Sequence, residues 1–267
     1  MNETNPNLIF IKLGGSLITD KTIPRKADLA RIRALAAEIK HIHQSRPNLR
    51  MSLGHGSGSF GHMEAHKYGT VQGVRSPEEW QGFQKVWSAA HELNQIVLSE
   101  LLDAGLPVVN FPPSATVTSA NHSVTVWNLE PMQACLDHGL IPLVFGDVVT
   151  DRVIGGTILS TEELFCHLAL HFKPAKVLIA GLERGVYQDY PANTEIVTEI
   201  RAGDALRTNL GSSQAVDVTG GMLSKVLLLS RMASQVPGLQ ARIFSGDPAG
   251  NLTDILDGRP LGTCISL

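Results

Sequence analysis

The chain has 267 residues, 43% of them hydrophobic and 18% charged, with a formal net charge of −3. This suits one large folded unit or two lobes sharing a sheet, and the lack of a basic excess argues against bulk binding to nucleic acid or an anionic membrane. Three scattered cysteines (Cys135, Cys166, Cys264) without C-x-x-C spacing, no signal-peptide pattern and no apolar run of membrane length together lead us to expect a disulfide-free cytoplasmic protein.

Strand and helix patterns alternate along the chain. Residues 8–15, LIFIKLGG, read as a buried strand ending in a glycine turn, and 27–45 carry apolar residues at helical spacing. Residues 49–56, LRMSLGHG, make a second strand that again ends in glycines. The spacing then predicts a long helix over 77–104. Ser76 is its N-cap, Pro77 its first residue, two glutamates fill its first turn and Gly105 follows its end. Next come strand LPVVNF, a polar stretch over 112–126 suited to a β-hairpin, helix LEPMQACLDHG and strand LIPLVFGD. Helix TEELFCHLALHF, strand AKVLIAG and a loop-rich region over 184–220 follow. Helix GGMLSKVLLLSRMASQV, strand ARIFSG and a last strand, GTCISL, expected at the sheet edge, complete the chain. Near-continuous apolar strands alternating with helices define an α/β fold with a mainly parallel sheet and helices on both faces. Ligands of such sheets sit beyond the carboxyl ends of the strands. Here those ends carry Lys12 to Ser16, Gly54 to His62, and Gly146 with Asp147.

Residues 56–61, GSGSFG, match the G-x-G-x-x-G spacing of dinucleotide-binding loops. That reading needs an acid about 20 residues on, at a strand end. Glu78 and Glu79 stand there, but in the first turn of a helix, and the loop follows the second strand rather than the first. The alternative is a pair of anion-binding turns, Gly14-Gly15-Ser16 and Gly56-Ser57-Gly58, whose exposed N–H groups face each other and suit two phosphates. Lys12 sits inside an apolar strand, where an ammonium group is costly unless it faces an anion. Lys21 follows it, and Lys225 lies one turn into a helix opened by Gly220-Gly221. Three lysines beside three glycine turns would neutralise a transferring phosphoryl group, although no G-x-x-x-x-G-K-[ST] loop is present.

IKLGGSLITDK, GHGSGSFGHMEAHKYG, GLIPLVFGDVVTD, DVTGGMLSKV and GNLTDILDGRPLGTCI, in this order over residues 8–267, resemble the amino acid kinase superfamily. Within it they are most similar to the isopentenyl phosphate kinases, chiefly through the histidine of GSFGH. The resemblance implies a three-layer αβα sandwich, with residues 1–150 as acceptor lobe and 151–267 as nucleotide lobe on one continuous sheet. It implies ATP and Mg²⁺, a prenyl phosphate acceptor and a homodimer. By position it gives Lys12, Gly14, Gly15 and Ser16 to the ATP β- and γ-phosphates, Lys21 to the transferring group, and Gly221 and Lys225 to ATP. Ser57 and Gly58 would present N–H groups to phosphate, and His62 would hold the acceptor phosphate. Asp147 and Thr161 fall on the acceptor side, with Phe83 and Val86 as candidates to line a tail pocket.

Three positions depart from the family pattern. Ser160-Thr161-Glu162-Glu163 replaces Ser-Gly-Asp-Asp, so a longer acid, Glu162, would orient the lysines. Ser57 replaces a glycine and would be strained if its φ were positive. GLERGVY (181–187) replaces an Asp-rich nucleotide segment. The same residues also admit a kinase of another small phosphate or phosphonate, as in fosfomycin kinase, or a non-catalytic nucleotide-binding protein.

Overall fold

A computed structural model of the protein describes residues 4–20, 22–189, 192–204 and 221–267; of His62, Met63 and Asp204 it describes the main chain alone. The chain opens with β1 (Asn5–Leu13), a single turn α1 (Gly15–Ile18) and α2 (Leu29–Ser45). Next are β2 (Arg50–His55), α3 (Gly58–Tyr68) and α4 (Pro77–Asp103). Then follow β3 (Val108–Asn110), the turn α5 (Pro113–Thr116), β4 (Val117–Ala120), β5 (Ser123–Trp127) and α6 (Glu130–Asp137). β6 (Ile141–Phe145), β7 (Asp147–Asp151) and β8 (Gly155–Leu159) lead into α7 (Thr161–Phe172) and β9 (Pro174–Gly181). Short strands β10 (Val186–Tyr187), β11 (Ile196–Val197) and β12 (Glu199–Arg201) precede α8 (Met222–Gln235). β13 (Gln240–Ser245), α9 (Asn251–Leu256) and β14 (Thr263–Ser266) close the chain.

The main sheet has eight strands in the order β12-β14-β13-β9-β1-β2-β6-β3. From β13 to β3 neighbours run parallel, and β14 runs antiparallel to β13. The expectation that the last strand lies at the edge is corrected here. β12 pairs with β14 through Ile200↔Ile265 and takes the edge itself, burying Ile200 beside its partner.

Period-two alternation sorts β1 between two cores. Ile9, Ile11 and Leu13 pack with α2, α4 and α9, for instance on Ile39, Leu93 and Leu252. Leu8 and Phe10 pack on the other face with α7 and α8, against Phe165 and Val226. The layers are therefore helix, sheet, helix. Lys12 has the parity of Leu8 and Phe10, so it is directed to the α7 face. The long helix predicted over 77–104 is α4. Ser76 Oγ accepts from Glu79 N (3.2 Å) and Glu79 Oε2 accepts from Ser76 N (2.8 Å), a capping box contributing about 0.5–2 kcal/mol.

A second sheet, β5-β4-β7-β8, stands apart from the first. The hairpin expected within 112–126 is β4–β5, turned at Asn121 and His122 with φ of 46° and 62°. The Asp151 carboxylate accepts from Ser119 Oγ and from the N–H groups of Asn121, His122, Val153 and Ile154. Burial alone would raise its pKa; these donors outweigh burial and hold it well below the usual carboxylate range.

Candidate active site

The parallel strands end in glycines that carry the ladder one bond further. Gly246 N donates to Gly181 O (2.8 Å), Gly14 N to Ala180 O (2.7 Å), Gly56 N to Leu13 O (3.0 Å) and Gly146 N to His55 O (3.2 Å). These bonds step along β13, β9, β1, β2 and β6, making a floor of main-chain atoms where the strand order reverses about β1.

The two glycine turns do not face each other across a gap; their backbones touch. A Cβ on Gly15 would lie 2.3 Å from Gly58 N, and one on Gly56 would lie 2.8 Å from Gly15 N. Ser57, expected to be strained if its φ were positive, has φ −79° and ψ −13° as the N-cap of α3. The positive φ, +49°, falls on Gly58, where glycine is present. Serine at 57 is therefore unstrained, and the residue that needs glycine is one.

Lys12 is buried and forms an ion pair with Glu162, the second residue of α7. The Lys12 chain runs beneath the second turn, its Cε 3.7 Å from the Cβ position of Gly56. Burial pushes the Glu162 carboxyl up, but the charges of Lys12 and Lys225 outweigh it and leave the pKa below its ordinary value. Glu162 thus sits between lysines from β1 and α8. Its Oε1 is buried without a hydrogen-bond partner among the described residues. Glu163, the other acid of this segment, has a different place. Its Oε2 accepts from Ser160 N (2.6 Å) in a capping box at the start of α7. Gly221 is the N-cap of α8, and Lys225 follows one turn on. Lys21 lies outside the described residues.

On the acceptor side, His62 is the fifth residue of α3, and its side chain lies outside the described residues. Ala65, three residues on, joins Val86 and Val148 in a small apolar cluster with Phe83 and Ile158 packed against it. Both tail-pocket candidates therefore stand beside the helix that carries His62. Asp147 and Thr161, expected on the acceptor side, both make hydrogen bonds within the protein. Asp147 Oδ2 accepts from Ser114 N (3.0 Å) and lies 3.1 Å from His91 Nε2, while Oδ1 accepts from Val148 N (2.9 Å). Thr161 Oγ1 donates to His55 O at 2.6 Å.

Sequence reasoning missed His91, which touches Ser114 Oγ at 3.2 Å and packs its ring, tilted, against Trp87 one helical turn earlier. The available signal was the i, i+4 spacing of Trp87 and His91 on a helix already recognised. His55 is fully enclosed. Its Nε2 meets Asn94 Oδ1 at 3.1 Å, and burial holds its pKa below the usual value, so it stays neutral.

Touching glycine turns at the ends of parallel strands, with a buried lysine–carboxylate pair beside them and the charge of Lys225 nearby, suit phosphoryl transfer. The amino acid kinase family model matches residues 7–245, and the chain belongs to that family. It is 30% identical to the isopentenyl phosphate kinase of Methanothermobacter thermautotrophicus, over 97% of this chain and 99% of that protein. It is 32% identical to the isopentenyl phosphate kinase of Haloferax volcanii, over 97% and 98%. A solved isopentenyl phosphate kinase structure superposes with a TM-score of 0.81 at 28% identity, over 97% of this chain and all of that one. Within the family, the chain belongs with the isopentenyl phosphate kinases.

Proposed function

We propose that the protein transfers the γ-phosphoryl group of ATP to isopentenyl phosphate, giving isopentenyl diphosphate. The observation that carries this reading is the buried Lys12–Glu162 pair, also under the charge of Lys225, with the Lys12 chain passing beside the two touching glycine turns. The full-length likeness to isopentenyl phosphate kinases gives the acceptor its name. An acceptor phosphate is already anionic near neutral pH, so the protein needs no strong base. Its work is to align two polyanions and offset their charge.

The donor set fits ATP phosphates. Gly14 to Ser16 are partly exposed at the strand end, and glycine lets the turn lie close on β9, a Cβ on Gly14 coming within 2.8 Å of Ala180 O. ATP, when bound, supplies the phosphoryl group; Lys12, Gly14, Gly15, Ser16, Gly221 and Lys225 would hold its phosphates and Glu162 would position the lysines. Among the described residues no group of three or more His, Cys, Asp or Glu forms a metal site. Mg²⁺ is accordingly assigned to the ATP phosphates rather than to a protein cage. Ser57 and Gly58 N–H groups and His62 would hold the acceptor phosphate, with Lys21 on the transferring group. Asp147 and Thr161 act as positioning residues. The apolar cluster of Ala65, Val86, Val148, Phe83 and Ile158 favours a hydrocarbon tail over a polar phosphonate.

We assign residues 1–150 to the acceptor lobe and 151–267 to the nucleotide lobe, and propose a cytoplasmic homodimer. No helix among the described residues is long and apolar enough to cross a membrane.

Purified protein with ATP, Mg²⁺ and isopentenyl phosphate is expected to form the diphosphate; no turnover above a blank would sink the reading. A panel of alkyl phosphates and phosphonates tests the acceptor class. His62→Ala is expected to raise the acceptor KM or lower kcat about ten- to a hundredfold while leaving ATP affinity in place, since a charge-assisted hydrogen bond contributes roughly 1.5–3 kcal/mol. Unchanged acceptor kinetics would remove His62 from this role.

A further inference from the structure

We infer that the Thr19 hydroxyl is the tether that sets the separation of the two phosphate turns, which makes Thr19 a positioning residue for transfer. This rests on the function proposed above. Thr19 follows α1 and is buried, 4% exposed. Its Oγ1 donates to Gly15 O at 2.7 Å, in the turn after β1. The same oxygen accepts from Ser59 N at 3.0 Å, in the first turn of α3 after β2. One hydroxyl therefore joins the turn assigned to ATP to the helix start assigned to the acceptor.

The neighbouring glycines show why a tether matters. Gly15 and Gly58 are already in backbone contact, and that contact sets a lower limit on their separation. Repulsion cannot hold two loops together; it stops them only from approaching. The Thr19 bridge supplies the upper limit. It also closes on Gly58, whose Cβ position lies 2.2 Å from Thr19 Oγ1 and 2.8 Å from its methyl. Thr19 is itself held by an antiparallel bridge to Ala27, so the tether is anchored outside the site. Loosening it would leave each turn able to bind its own phosphate while degrading their alignment.

The test compares Thr19→Val, which keeps the shape and removes the hydroxyl, with Thr19→Ser, which keeps the hydroxyl. Thr19→Val is expected to lower kcat about ten- to a hundredfold, with the calorimetric Kd of ATP and of isopentenyl phosphate, each measured alone, changed by less than about twofold. Thr19→Ser is expected to restore most of the rate. Amide exchange at Ser59 should quicken in Thr19→Val. If valine prevents folding, Thr19→Ala carries the same comparison. A kcat near wild type, a serine variant as slow as the valine one, a loss confined to affinity, or unchanged Ser59 exchange would each overturn the inference. Wild-type protein with no turnover would instead sink the function, and Ser59 exchange would still test the tether.

Discussion

Gly15→Ala is expected to lower phosphoryl transfer by about a hundredfold or more, because it drives a methyl group into backbone that cannot move aside. The new Cβ would lie 2.3 Å from Gly58 N, 2.7 Å from Gly58 Cα and 3.1 Å from Gly56 C. All three are main-chain atoms at the ends of paired strands, so relief requires the turns after β1 and β2 to part. Overpacking of this kind costs roughly 1–3 kcal/mol in a well-packed interior. The φ of Gly15 is not the cause, since it is not positive. Gly203→Ala is the control. Among the described residues nothing lies within 4 Å of its Cβ position, and its stability and rate should stay close to wild type. A Gly15→Ala enzyme with wild-type kcat would show that the contact between the turns is dispensable.

The second large effect belongs to Glu162→Gln. Lys12 and Glu162 are 6% and 3% exposed, and removing one charge of a buried pair costs about 3–5 kcal/mol. The sign with pH follows from the depressed carboxyl. A group whose pKa falls on folding stabilises the native state fully above its unfolded pKa, and that contribution fades as pH drops through the lower folded value. Wild type should therefore exceed Glu162→Gln by a steady margin from neutrality down to about pH 5, with the gap narrowing in stronger acid. Urea unfolding at several pH values reads this directly. The rate should fall as well, because both Lys12 and Lys225 lose the carboxylate between them. A margin independent of pH would mean that the carboxylate is not what the lysines hold.

The parts of this fold that could be read in the sequence are those with local causes. α4 announces itself through Ser76, Pro77 and Glu79, all within its first turn. The glycine-terminated strands were visible because each carries its own apolar run and its own stop. β12 was not, since its three residues acquire meaning only by pairing with β14, more than sixty positions on. β7 was hidden for a related reason. Gly146 alone separates it from β6, yet the chain changes sheet there. α9 has six residues, too few for a helical period to register.

The site divides the same way. Lys12 stood out because a cation in an apolar strand demands a partner; that the partner is Glu162, at the start of a helix 150 residues later, was legible only through the family pattern and not from the surroundings of Lys12. Asp147 and Thr161 were legible as positions, but only the fold shows which protein atoms their oxygens meet. Thr19 gave no sign of its own; its two hydrogen bonds depend on β1 and β2 lying side by side.

The glycine floor bears on how such a protein can change over generations. Gly14, Gly56, Gly146 and Gly246 are fixed by hydrogen bonds from their main-chain amides. Amides are common to every residue except proline, so drift elsewhere leaves them untouched. The apolar cluster proposed for the tail is a different matter: Ala65 on α3, Phe83 and Val86 on α4, and Val148 and Ile158 in the second sheet are side chains that one mutation can enlarge, shrink or make polar. A lineage built this way can acquire a new ester tail by altering its walls while inheriting the transfer chemistry intact.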